Sequence, residues 1–336
     1  MDLFVFKALL LDGITTGAIY LLLAIGLLIV FSVTRVIFVP QGDLLAFGTL
    51  TVAALQAGQV PGTLWLLDGL SAVALVLSLV GGAFRPALVW AVYPAVVTLA
   101  AWLLTPLHNP FVSIVMALAI VTPMGPLIWR FAFRPMSGAP MLALLVLAMA
   151  LHFVLAGLGL VFFGPEEASA PALTDASFEI GDLNVTGQSL AVLLCCAILV
   201  LGLRWFFGAT LQGKALRATA SDALGARLVG IDSGAAGAVA FGLASFIAAL
   251  AGVLIGAVTP LSYDAGFDIG LKGFVAAIMG GLVSFPLAAA GALLVGVLES
   301  LVSFWASAYR DVIVFTLLIP VLVFLSWRSG SPEDRA

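Results

Sequence analysis

Long apolar stretches recur along this chain, at 8–31, 87–105, 110–131, 139–163, 189–207, 235–258, 287–306 and 311–327. A helix needs about 20 mostly apolar residues to cross the hydrocarbon core of a bilayer. Inside that core no water is available to backbone N–H and C=O groups, so each segment must satisfy them itself, as a helix or in a closed barrel. Barrel strands are alternating segments of about ten residues, and these runs are far longer. Membrane helices are the remaining solution. With 63% hydrophobic and 9% charged residues, little of the chain is left for anything else. Shorter or interrupted runs at 41–57, 65–82 and 270–284 span, re-enter or lie broken. The expected architecture is therefore all-α: one polytopic helical bundle over residues 1–336, with nine or ten transmembrane helices.

The N-terminus, Met1 to Lys7 and then Ala8 to Phe31, lacks the short apolar core and small-residue cleavage site of a secretory signal, and reads as a retained first helix. Cys195 and Cys196 are adjacent in an apolar run, where helical neighbours point about 100° apart; they read as small core residues. Gly13/Gly17, Gly252/Gly256 and Gly266/Gly270 stand four apart, a spacing that lets helices approach closely in lipid. Packing within the chain is the simplest use of them.

The few charges are distributed unevenly. The segment GKALRATASDALGARLVGID, Gly213 to Asp232, carries Lys214, Arg217 and Arg227. Arg204 precedes it, and Arg130 and Arg134 lie in an earlier connection. Between these basic connections, the stretch from Gly164 to Gln188 holds Glu166, Glu167, Asp175, Glu179 and Asp182 with no basic residue. Basic loops stay on the cytoplasmic side, so 208–233 is expected inside and the 164–188 loop outside; Arg328 and Arg335 fall inside as well if three spanning elements follow Thr259. Within the island, Leu216, Ala220, Leu224, Leu228 and Ile231 recur three or four apart, forming an apolar stripe. Ser221 or Asp222 is placed to cap a second short helix, with Gly230 to stop it. An amphipathic helix lying on lipid headgroups is the alternative. The stripe is narrow and Ala-rich, without Trp or Phe, which suits docking onto another protein better.

Two motif matches fail. Gly208 to Ala215 imitates a phosphate-binding loop, but its last position needs Ser or Thr to hold magnesium and a strand to precede it; here it is Ala215, after a membrane helix. Asn184-Val185-Thr186 fits a glycosylation acceptor on too short a pattern to carry weight. His108 and His152 have no Cys or His neighbour at ligand spacing, so neither a metal site nor a catalytic constellation is expected. His152 reads as a substrate contact or as a packed, hydrogen-bonded histidine.

The pattern G-K-A-L-R-A-x-A-x-D-x-x-x-A-R-L-x-G-I resembles the cytoplasmic coupling motif of the branched-chain amino acid class of ABC importer permeases. The likeness continues through GITTGAIYLLLAIGLLIVFSVTRVIFVPQGDLLAFGT (13–49), AALAGVLIG (248–256), GLKGFVAAIMGGLVSFPLAAAGALLVGVLES (270–300) and YRDVIVFTLLIPVLVF (309–324). It covers about two thirds of the chain and is closest to the smaller of the two permease types. The chain departs from the family pattern at Phe38-Val39-Pro40, and its stretch from Gly58 to Thr105 is longer. The resemblance implies a multi-pass protein of the bacterial inner membrane, working with two cytoplasmic ATP-binding subunits, a second permease subunit and a periplasmic binding protein. ATP and magnesium would be held by the ATPases, leaving this chain without cofactor, enzymatic activity or nucleic-acid partner. Gly213, Lys214, Leu216, Arg217, Asp222, Leu224, Arg227, Leu228 and Gly230 would then couple to the ATPase.

The solute pathway is expected at the polar groups buried in the membrane, because a charge at the bilayer centre costs about 2.5–3.5 kcal/mol on insertion scales. Asp43, Lys272 and Glu299 are the charged candidates, and Thr16, Tyr20, Gln41 and Gly42 accompany them, with Thr15 and Ser300 as further neutral groups. Gln41 to Asp43 would form a broken helix whose exposed backbone meets a zwitterion. Alternatively, Lys272 pairs with Glu299 or Asp43 as a structural tie. Branched-chain or other hydrophobic amino acids are the implied solutes, with urea, short amides or aromatic acids as alternatives. An ion-coupled secondary carrier would also use intramembrane carboxylates, but needs no docking island.

Overall fold

The computed structural model describes residues 3–82, 84–105, 108–174, 176–180, 183–282 and 284–328. The helices are α1 (Leu3–Thr34), α2 (Gln41–Gln56), α3 (Gly62–Val80), α4 (Phe84–Leu104), α5 (Pro110–Val121), α6 (Met124–Ile128), α7 (Met141–Phe163), α8 (Gly187–Ala209), α9 (Leu211–Ser221), α10 (Ala223–Leu228), α11 (Ser233–Gly256), α12 (Ala265–Met279), α13 (Phe285–Ala306) and α14 (Arg310–Arg328). A short antiparallel hairpin, β1 (Ser177–Ile180) with β2 (Leu183–Thr186), precedes α8. The protein is an all-α polytopic membrane bundle. Eight helical segments among the described residues are long and apolar enough to cross a membrane, fewer than the nine or ten expected. The last long run, 311–327, is not counted as a span of its own, its start joining α13 in the segment Phe285–Thr316, and two of the shorter runs account for the rest. At 1.5 Å per residue, α2 (16 residues) and α12 (15 residues) cover about 24 and 22 Å, short of a full crossing. The third, 65–82, lies largely within the full-length α3.

Caps mark where the sequence turns. The Asn109 side chain accepts from the Phe111 and Val112 amides, with Pro110 as the first residue of α5. Thr186, Thr210, Asp222 and Asp232 do the same for α8, α9, α10 and α11. The core is built on α1, which packs against α11, α12 and α13, while α2 lies against α11 and α12. Glycines make these approaches possible. A side chain at Gly13 or Gly17 would run into the α13 backbone, one at Gly252 into Leu45, and one at Gly266 into Gly42. Most of the small-residue faces read from the sequence are thus spent inside the chain.

The bundle has two chemically distinct ends. Arg134, in the turn after α6, and Arg227, in α10, line one cavity together with Arg35 at the end of α1. The acidic 164–188 stretch is tied to the opposite end, where Ala168 pairs with Leu261 and the Ala170 amide donates to Gly256 O. Helices α7 and α8, 23 residues each, run between these ends. Asp175, Asp182 and Arg335 lie outside the described residues.

Candidate functional site

The interior site begins where α1 stops. Arg35, just past the helix, has φ 60 and donates its amide to Phe31 O at 2.8 Å, a left-handed helix ending usually taken by glycine. The chain then folds back into the bundle. Phe38 is fully buried, its ring 4.6 Å from that of Phe241 and 6.3 Å from that of Phe133. Pro40 precedes the first turn of α2, and the Gln41 and Gly42 amides bond to Phe38 O and Val39 O. Helix α2 therefore starts inside the protein, as a broken helix does.

Gln41 donates from Nε2 to Leu23 O of α1 at 3.0 Å, while its Oε1 is buried with no hydrogen-bond partner. A cavity of about 140 Å³ opens beside it, walled by Leu23, Leu27, Phe38, Gly42 and Phe267 among others. Gly42 packs so closely on Gly266 that any side chain there would strike backbone. The site is thus apolar and small, and Gln41 in its wall holds a buried acceptor without a partner.

Asp43 is held by His152 of α7, with Nδ1 at 2.9 and 3.0 Å from the two carboxylate oxygens. Both are buried, at 1% and 7% exposure, and the imidazole stacks on Phe267 at 4.5 Å. His152 is thus the packed, hydrogen-bonded histidine that the sequence offered as one of two readings, and it is Asp43's partner in place of Lys272.

Lys272 and Glu299 belong to a separate cluster joining α1, α12, α13 and α14. Lys272 Nζ lies 2.6 Å from Glu299 Oε1 and 3.1 Å from Asp311. Tyr20 donates to Glu299 Oε2 at 2.5 Å, and Arg310 lies 3.4 Å from both Glu299 and Asp311. The four charges cancel. These contacts match the structural-tie reading of Lys272 with Glu299. Thr15 bonds to Leu11 O of its own helix, Ser300 bonds to Leu9 O and Asp12, and Thr16 is half-buried. Sequence reasoning missed Arg310 and Asp311 as members, although two charges heading an apolar run were a visible signal. It also missed Phe267, which joins the Asp43–His152 pair to the cavity.

The basic island forms α9 and α10. Thr210 caps α9 through the Gly213 amide at 2.9 Å, and Gly213 packs tightly against the Phe206 carbonyl. Asp222, extended at φ −149 and ψ 103, ends α9 and caps α10 through the Leu224 amide at 2.9 Å. Gly230 follows with φ 87, which stops the segment. This break divides the expected stripe. Leu216 is buried in the bundle at 1% exposure, with Ala220 and Ile231 partly covered, whereas Leu224 and Leu228 are 69% and 82% exposed. Lys214, Arg217 and Arg227 are exposed, and Arg227 Nε donates to Ser233 at 2.7 Å. The extended residue at Asp222 turns the second helix so that its leucines face away from the bundle.

A multi-pass helical bundle with a broken helix beside an internal cavity, and a capped two-helix projection at its basic end, defines a membrane permease. Residues 9–322 match the family described as branched-chain amino acid transport system / permease component, and the chain belongs to that family. It is 27% identical over 322 residues to the high-affinity branched-chain amino acid transport system permease protein BraD of Pseudomonas aeruginosa, covering 94% of this chain and 92% of that one. It is also 27% identical over 337 residues to the permease protein LivH of the same kind of system in Salmonella typhimurium and in Escherichia coli, covering 96% of this chain and 94% of each.

Proposed function

We propose that this chain is the permease subunit of an ATP-binding-cassette importer in a bacterial inner membrane, and that it carries branched-chain or other hydrophobic amino acids. The observation carrying the solute reading is the apolar cavity at the broken α1–α2 junction, lined in part by Gln41, whose buried Oε1 has no hydrogen-bond partner. A buried acceptor without a donor costs about 1–3 kcal/mol. A solute with an apolar side chain and an ammonium or amide N–H satisfies both features of the cavity. Family membership and the relatives' transport systems support the same class. Urea or a short amide would leave the apolar walls uncovered.

Under this reading, α10 docks an ATPase through Leu224 and Leu228, two ATPases hold ATP and magnesium, and a second permease subunit completes the pathway. The exposed Glu166 and Glu167 face an incoming binding protein, steering it by charge. ATP-driven closure of the ATPases then shifts the bundle between two states through their different contacts with α9 and α10.

Gln41→Leu should reduce uptake of an aliphatic amino acid by about tenfold or more, because the acceptor is lost while volume and apolarity are kept. Copurification of the ATPases should be unchanged. Normal uptake by this variant would remove Gln41 from the pathway. For orientation, a version lacking Cys195 and Cys196 and carrying Ala215→Cys should be labelled by an impermeant thiol reagent only from the cytoplasmic side, following the charge asymmetry of the two ends. Labelling from the periplasmic side alone reverses the assignment.

A further inference from the structure

A cleft of about 950 Å³ lies between α1, α8, α9 and the start of α13, separate from the Gln41 site. One wall is apolar and reaches down α1 and α8 through Leu21, Ile25 and Phe207. Its rim carries three arginines from three elements: Arg35 after α1, Arg204 in α8 and Arg217 in α9. All three are exposed, and among the described residues none lies in an ion pair with a carboxylate. No acidic residue lines the cleft. Arg35 holds its place in left-handed backbone, φ 60, where glycine would be less strained.

We propose that this cleft binds an anionic phospholipid, its phosphate gripped by Arg35, Arg204 and Arg217 and an acyl chain laid along Leu21, Ile25 and Phe207. Arginine forks match phosphate oxygens with charge-assisted bonds, and basic pockets at helix ends take acidic headgroups. The apolar wall selects a lipid over a free anion, because phosphate alone would leave it wet. A lipid seated there touches α1 of the bundle and α9 of the projecting segment together, so it clamps the segment to the bundle. Arg217 would then serve the lipid, while Leu224 and Leu228 remain free for a protein partner.

The test is native mass spectrometry of the full-length chain, exchanged into equal amounts of phosphatidylglycerol and phosphatidylcholine. Wild type should retain phosphatidylglycerol selectively. Each of Arg35→Gln, Arg204→Gln and Arg217→Gln should weaken that preference about fivefold, the increment for one basic residue at an anionic surface. Arg85→Gln, Arg130→Gln and Lys214→Gln combined remove as much charge from residues that line neither this cleft nor the adjoining cavity that shares Arg35, and should leave the preference intact. Ala289→Phe, which narrows the cleft without changing charge, should lower retention of the lipid and serves if the arginine variants do not fold. Equal loss in both triple variants would mean general attraction of anionic lipid to the basic end, and would overturn the site. So would displacement of the lipid by millimolar inorganic phosphate, or retention in the Arg35, Arg204 and Arg217 triple variant. The readout is lipid held by this chain alone, so it stands apart from the transport reading.

Discussion

Glu299→Leu should destabilise the bundle by about 3–5 kcal/mol, the cost of removing one partner from a buried ion pair. Glu299 accepts from Tyr20 and neutralises Lys272 at 2.6 Å, and its loss leaves that ammonium buried at 4% exposure with only Asp311, itself shared with Arg310. At 4% exposure the Lys272 ammonium has little water of its own to replace the lost carboxylate. The double variant Lys272→Met with Glu299→Leu should recover most of the loss, since Arg310 and Asp311 still balance each other and the new side chains are apolar. Unfolding in detergent micelles, followed by heat or by a denaturing surfactant, measures all three variants. If the double variant is as unstable as the single, the two charges do not act as a pair, and the cluster is not what fastens α12 and α14 to α13.

The long apolar runs were legible because lipid imposes one rule on them: length and hydropathy decide a spanning helix almost regardless of neighbours. Positions α2 and α12 were not legible as to depth, since a run of 15 or 16 residues reads equally as a short span or a re-entrant piece. Their placement depends on tertiary contacts such as Gly42 on Gly266, which no local pattern reveals. The same limit applied to the polar residues. Burial in lipid predicts that Asp43, Lys272 and Glu299 need partners, yet the partners lie 109, 27 and 279 residues away in sequence. Caps were a different matter. Asp222 was readable because an N-cap acts within two or three residues, and Gly230 because only glycine takes φ 87 without strain. What the stripe of leucines could not show was its own interruption. A single extended residue at Asp222 redirects everything after it, so Leu216 and Leu224, eight residues apart, end with opposite fates.

That divergence sharpens the coupling experiment. Truncating Leu224 and Leu228 to Ala should weaken ATPase binding by at least about tenfold while leaving the permease itself intact. A fully buried leucine contributes roughly 1.5–3 kcal/mol, and 1.4 kcal/mol is a factor of ten in affinity. Both side chains are already exposed in the isolated chain, at 69% and 82%, so their loss opens no cavity in the bundle. Leu216→Ala provides the contrast: it is buried against the bundle, so it should lower thermal stability by about 2–5 kcal/mol and affect ATPase binding only through that instability. The expected pattern is a well-expressed, normally stable Leu224/Leu228 double variant that no longer copurifies with its ATPase and shows no solute-stimulated ATP hydrolysis. Normal binding and transport by that variant would reduce α10 to a surface helix. The energy of ATP closure would then have to enter through α9, whose exposed face carries Lys214 and Arg217.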